Sequence, residues 1–387
     1  MTGRYKKSNN RRGVALLVVM FLVAMISILS MSYAVKANRQ LSCGLNSGYK
    51  TEADYLAQTA LSYARSCVVN PQNMTTGEDG YWQGDTGVQI IEGNEYFDVT
   101  VTQSTTGNTS KCTYSIETSS YKLVDGERMY ETNLIAKLRL DPCIAYWSGG
   151  AAATGLPGNV EIYGDVYSNY DLVCNGMIYG DVFGTSFMGN RSGQYYSNTS
   201  CPVTWPGIQE ALLQSDYYLD TSRYFVNDRT GNSALANVTW SSSTDNPKGI
   251  NYFGNSITLE GTNTIEGTLV VNGDVTIKNG SLNLTAYKNC PAIVATGKIE
   301  FGDLANVKID GLVQAEQAGI STSAGDVSIN GGLFVHNSGL VVESGYAGSA
   351  VITGDPMKSS IHLMQTLTDE NEWSPVGGAY YKAIKRK

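Results

Sequence analysis

GTLVVNGDVTI (267–277), PAIVATGKIEF (291–301), GLVQAEQAGI (311–320) and GLFVHNSGL (332–340) decide the architecture of the C-terminal half of this chain. Each joins short runs of Val, Ile, Leu and Ala through Gly, Asn or Asp, the residues that tight turns select. Aligning Thr268, Ala292, Leu312 and Leu333 gives steps of 24, 20 and 21 residues, a repeat of the length that solenoids use. One such unit cannot cover its own apolar face, so the units must stack. The expectation is an irregular β-solenoid (β-helix) over 143–345. Upstream, Gly164-Asp165-Val166-Tyr167 and Gly180-Asp181-Val182-Phe183 echo Gly273-Asp274-Val275-Thr276 and Gly325-Asp326-Val327-Ser328. The stretch at about 190–250 differs in character and reads as an insertion covering one side or end of the solenoid, with a helix expected at 205–220. The remainder, 346–387, carries less pattern and reads as a tail.

The other end of the chain is governed by hydropathy. Residues 14–35, VALLVVMFLVAMISILSMSYAV, hold no charge and no proline. As a helix they would extend about 33 Å, enough to cross a bilayer core. Arg4, Lys6, Lys7, Arg11 and Arg12 precede them with no acid among them, which places 1–13 on the cytoplasmic side and the body outside. A secretory signal would have a shorter apolar run and an A-x-A site. Helical spacing continues through 49–67, where Ala53, Ala57, Ala60 and Ala64 form a small-residue stripe suited to close packing against other helices. Pro71 stops the helix near residue 69, and Gly44 and Gly48 are positions where it could bend or break.

Between the two halves, strands are expected at 88–92, 95–103, 111–118 and 128–140, with alternating side chains and turn residues between them. A long helix followed by an antiparallel meander makes a small unit over 70–142, in which the helix covers one sheet face. The whole is α+β to mainly β.

RRGVALLVVMFLVAMISILSMSYAV followed by DYLAQTALSYARS resembles the N-terminal region of PilX-type minor pilins, over about residues 11–68. Arg12-Gly13-Val14-Ala15-Leu16-Leu17-Val18-Val19 is similar to the class III leader of type IV pilins and pseudopilins. The resemblance implies cleavage by a prepilin peptidase between Gly13 and Val14, methylation of the new N-terminus, and partnership with other pilins or pilus assembly proteins. It places the chain in the bacterial inner membrane, body periplasmic, or extracellular on a pilus. Two positions depart from the family: Val14 stands where an aromatic is usual, and Val18 where a glutamate is usual. K-type minor pseudopilins also lack that glutamate and sit at the tip, so the likeness points to a tip or initiation role. The C-terminal repeats look like those often joined to such N-terminal regions and, loosely, like bactofilins.

Composition and motifs bound the chemistry. Lys and Arg number 27 against 35 Asp and Glu; without the five basic residues of 1–13, 22 remain, a net −13. So acidic a body argues against nucleic-acid binding. The seven cysteines form no C-x-x-C pair, which leaves structural disulfides as their expected use in an exported body. No P-loop, dinucleotide fingerprint or G-x-S-x-G is present, no cofactor or metal is implied, and no enzymatic activity is expected. Asp165, Asp181, Asp274 and Asp326 could form an acidic line as in carbohydrate-active β-helices, or hold calcium, but Asp after Gly is ordinary turn chemistry. His336 and His362 read as singletons. Tyr-rich stretches at 146–150, 194–196 and 216–225 could bind a surface ligand or carbohydrate, or pack on the solenoid flank. A membrane-anchored β-helix adhesin or scaffold and a carbohydrate-active enzyme are the alternatives to a pilin-like structural subunit.

Overall fold

The computed structural model describes residues 11–69, 81–90, 93–103, 113–141, 143–150, 154–197, 216–219, 222–287, 290–355, 358 and 378–386. Its first element, α1, is a single helix from Arg11 to Val69, 59 residues and about 88 Å long. Gly44 and Gly48 do not break it. Both lie on its exposed face with open space around them, so their cost is only the weak helix propensity of glycine. Ser27, Ser32, Thr51 and Thr59 each donate to the carbonyl four residues back, which lets hydroxyls sit inside the helix.

The C-terminal part of α1 lies across a five-stranded antiparallel sheet. Four strands run β1 (Gly84–Val88), β2 (Glu95–Gln103), β3 (Thr113–Val124) and β4 (Glu127–Asp141), and the fifth, Gly378–Arg386, pairs with β4. Alternation along β2, β3 and β4 turns Phe97, Val99, Val101, Tyr114, Ile116, Ala136, Leu138 and Leu140 toward the helix, where they are buried with Ala60, Leu61, Ala64, Cys67 and Val68. Two sequence expectations change here. The first strand sits at 84–88, with pairing bulged between Asp85 and Val88, and residues 89–90 are not the strand expected there; 91–92 lie outside the described residues. The supposed tail supplies an edge strand: Ala379 faces Leu140 and Ile384 faces Ala136.

The rest is a β-solenoid of about nine turns, joined by parallel pairings along three walls. On the first wall Leu269, Ile293, Val313, Leu333, Tyr146, Val166 and Val182 form one inward column. On the second, Ile257, Val275, Ile299, Ala318 and Leu340 do so. On the third, Ile265, Leu284, Ile309, Ile329, Ile352, Ile162 and Ile178 follow one another, all buried.

The order within these columns is not sequence order. The chain enters mid-stack at Ile144–Ser148, winds to one end at Tyr195–Ser197, resumes at the opposite end at Asn227–Asp228, and winds back to Ala350–Thr353. There Ala350 pairs with Val160 and Ile352 with Ile162, while Leu333 pairs with Tyr146. The two repeat blocks are therefore one solenoid, closed by a seam between segments about 190 residues apart in sequence.

Several boundaries shift as a result. Most described residues of the expected insertion at 190–250 belong to the two terminal turns, through Phe187–Arg191 and Tyr195–Ser197 at one end and Ala234–Ala236 and Thr239–Trp240 at the other. The hairpin Asp216–Leu219/Ser222–Phe225 forms a separate two-stranded sheet off the stack, with Tyr217 packed on Val270, Val294 and Cys290. Asp216–Leu219 is thus strand where helix was expected; residues 205–215 lie outside the described residues. The repeat alignment slips by one at its last member, since Val313 pairs with Leu333 and the partner of Leu312 is Gly332. The paired step from Val313 to Leu333 is 20 residues, the same as from Ile293 to Val313, and Gly331 and Gly332 at this corner both have positive φ. A Cβ on Gly331 would stand 2.6 Å from the Gly311 carbonyl carbon.

The inward columns generate a stability prediction. Ile329→Ala removes a side chain that is 1% exposed at the middle of the isoleucine column and should cost about 2–5 kcal/mol. Val341→Ala, at a position 59% exposed, should cost no more than about 0.5 kcal/mol. Urea titration followed by circular dichroism checks both.

Candidate functional site

The feature the sequence singles out for function is α1, and the structure divides it sharply. Residues 16–48 are exposed along their whole length, and the helix contains an 18-residue window of mean hydropathy 2.4 with none of that window buried. By length and composition it is long and apolar enough to cross a membrane. Leu16, Leu17, Met20, Phe21, Ile28 and Met31 are each more than 60% exposed. The first charged residues after the apolar run are Lys36 and Arg39. Gly13 and Val14 fall within the first turn of α1, and nothing of their side chains or of residues 1–10 belongs to the described part.

The alanine stripe has a different partner from the one expected. Ala53 is 6% exposed, and Ala57, Ala60 and Ala64 are fully buried, with Ala60 and Ala64 in the core shared with β2, β3 and β4. The Ser120 hydroxyl, itself buried, donates to the Ala53 carbonyl at 2.8 Å. Small side chains let the helix backbone come this close to the sheet. The stripe is consumed inside the chain and is not available to other helices; the surface left for them is 16–48.

Where α1 leaves the sheet, a collar surrounds it. Tyr49 and Tyr130 lie with ring centroids 4.7 Å apart. Tyr130 has φ 55°, beside the register shift between β3 and β4, a β-bulge of the kind that re-aims a side chain. Lys122 lies 4.9 Å above the Tyr49 ring and places Nζ 3.5 Å from Glu95 and 3.9 Å from Glu52. These groups are partly exposed, so the collar orients the helix more than it stabilises it. Sequence reasoning missed it, because neither the bulge nor the meeting of residues 49, 122 and 130 leaves a local signal.

The four aspartates considered as catalytic acids stand on three different corners. Asp165 and Asp181 precede the first wall, Asp274 the second and Asp326 the third. Each accepts a backbone amide from the following turn: Asp181 N to Asp165, Gln194 N to Asp181, Lys298 N to Asp274 and Ser349 N to Asp326, at 2.7–3.0 Å. Asp165 alone is deeply buried. Burial pushes its carboxyl above the usual range, while Arg139 and the amides of Asp181 and Cys143 pull it back. His336 Nδ1 lies 3.2 Å from Glu316; His362 lies outside the described residues. Among the described residues no three His, Cys, Asp or Glu side chains group as metal ligands would.

The aromatic stretches mostly satisfy one another. Tyr163 and Tyr179 stack at 4.6 Å, Phe183 and Tyr196 at 4.8 Å, and Trp147 and Tyr167 at 5.5 Å. Rings stacked along the solenoid axis present edges outward, whereas sugar stacking uses faces. Cys43, Cys67 and Cys174 are free thiols, and Cys143 is disulfide-bonded.

Comparisons with known proteins add little. No family model and no curated protein matches the chain. A solved structure, the competence-associated pilin ComZ from Thermus thermophilus, is similar over 88% of this chain and 98% of its own, at 11% identity and a TM-score of 0.34. A score that low supports neither a shared fold nor a shared role.

The closeness of helix to sheet is testable. Ala57→Leu places a branched side chain where no space remains and should destabilise the head by about 1–3 kcal/mol. Tyr55→Ala, two residues away and 67% exposed, should leave stability within about 0.5 kcal/mol. Thermal unfolding of both variants in detergent gives the comparison.

Proposed function

We propose that the chain is a minor pilin-like structural subunit of a type IV pilus or pseudopilus system. In this reading α1 anchors it in the inner membrane, a prepilin peptidase cuts between Gly13 and Val14, and the solenoid is displayed outside the cytoplasm. The observation that carries the proposal is the division of α1: one unbroken helix whose last third is built into a sheet while 16–48 stand free and apolar through residue 35. Such a surface needs lipid or other apolar helices to cover it, and a pilin passes from one to the other. Val18 leaves the exposed helix without the carboxylate that bulk pilins carry, which favours a low-abundance subunit at the tip. The proposed role is one of assembly and display; in its support, each of the four aspartates considered as acids accepts a backbone amide from the following turn.

Co-expression with a prepilin peptidase tests the reading. Wild type should yield a mature protein beginning at Val14, and Gly13→Ala should keep its leader, as read by intact mass and N-terminal sequencing. An uncut wild-type chain would favour a plain membrane-anchored adhesin or scaffold, and normal processing of the variant would remove the cleavage assignment.

A further inference from the structure

We infer that the junction of head and solenoid is a rigid joint, pinned by Arg139 and Asp165, that fixes the direction of α1 relative to the solenoid axis. The described ends of the two connections that cross the junction lie side by side. β4 ends at Asp141, paired with Gly378, and the solenoid begins at Ile144 and leaves through Gly354. Cys143 Sγ lies 3.6 Å from the Gly354 carbonyl, and the Gly354 amide donates to Tyr163 at 2.7 Å. A Cβ on Gly354 would come within 3.1 Å of the Cys143 carbonyl. No slack segment separates the two bodies on the side where the chain enters.

Asp165 is the point where the parts meet. It is 1% exposed. Its two oxygens take the Arg139 Nη2 group at 3.2 and 3.3 Å, from the head sheet. Its Oδ2 takes the amide of Cys143 at 3.1 Å, from the connection, and its Oδ1 the amide of Asp181 at 3.0 Å, from the next turn. One carboxylate thus receives donors from the head strand, the linker and the next turn of the solenoid. Its sequence context, Gly-Asp-Val, is shared with Asp181, Asp274 and Asp326, yet those three serve the stack alone. Nearby, Asp355, just past Gly354, is itself buried, and burial, with this carboxylate adding to it, pushes the Tyr114 hydroxyl of β3 up. Removing one member of a buried charge pair strands the other, which makes the pin sensitive to the loss of Arg139.

The test uses the full chain in detergent micelles with the disulfide intact. Wild type should show a single calorimetric transition for head and solenoid. In Arg139→Met the transition should split in two. Hydrogen exchange should then quicken at least tenfold in peptides covering 143–146 and 352–355, with β2, β3 and residues 299–301 unchanged. Asp181→Asn, at an equivalent turn without a head contact, should not split the transition. If Arg139→Met fails to fold, Arg139→Lys, which keeps the charge but loses the planar fork, should show the same local exchange pattern in weaker form. Uniform acceleration throughout the chain, or a split in Asp181→Asn as well, would mean that Asp165 is only one turn residue among several. An unsplit transition with unchanged exchange in Arg139→Met would remove the joint.

Discussion

The pairing of residues 350–353 with 160–163 is the constraint from which the architecture follows. The strand Gly378–Arg386 lies beside β4 in the head sheet, so whatever is inserted between them must begin and end at one place. A solenoid wound from one end to the other would leave its termini about nine turns apart, roughly 40 Å at the spacing of adjacent strands. Starting in the middle of the stack resolves this. The chain leaves in one direction, returns from the other end, and closes next to its own beginning, where Gly354 touches Tyr163 and Cys143. The arrangement has a kinetic consequence, because the seam joins segments about 190 residues apart and cannot form until both blocks are wound.

A stack of this kind has two open edges, and both are blunted. The terminal strands are short: Tyr195–Ser197 has three residues and Asn227–Asp228 two. At one end the Arg191 guanidinium lies over Phe187 and Tyr195; at the other, Arg229 lies over Trp240. Inside the second end, the side chain of Asn263 occupies a column position otherwise held by Leu282, Val307 and Val327. It accepts the Val238 amide and donates to Glu260, closing the core with a polar plug. Short strands and charges at an edge are how β proteins avoid adding further strands, so the solenoid is built to stop rather than to polymerise through its ends.

How much of this was legible in the sequence depends on range. The helix, the strands from 95 to 140 and the repeat were readable because their signals are local: hydropathy, alternation and a step near twenty. The seam, the edge strand at 378–386 and the assignment of 190–197 and 227–240 to opposite ends are pairings between distant segments, which periodicity does not encode. The alanine stripe shows both sides of this. Its spacing correctly announced close approach of a backbone, but spacing carries no information on whether that backbone is another helix or the chain's own sheet. The slip from Leu333 to Gly332 has the same origin, since matching Gly311-Leu312 to Gly332-Leu333 follows residue types, while the pairing keeps a step of 20 residues. The Gly-Asp pairs were alike in sequence and fall on different corners, and only the burial of Asp165 against Arg139 distinguishes one from the rest.

The division of α1 sets what the exposed half requires. An apolar side chain left in water forgoes roughly 1.5–3 kcal/mol relative to burial, and residues 16–35 present many of them. The head cannot supply that cover, because its helix-binding face is already filled by Ala53 through Val68. None of the described residues covers the exposed half, and a cover must accept a straight, uncharged cylinder, which a bilayer core and a bundle of similar helices both do. The collar at Tyr49, Tyr130 and Lys122 stands about four turns beyond the last of these apolar residues. It holds α1 where support from the sheet ends, so whatever takes up residues 16–48 is connected through one continuous helix to the sheet, and through Arg139 and Asp165 to the solenoid.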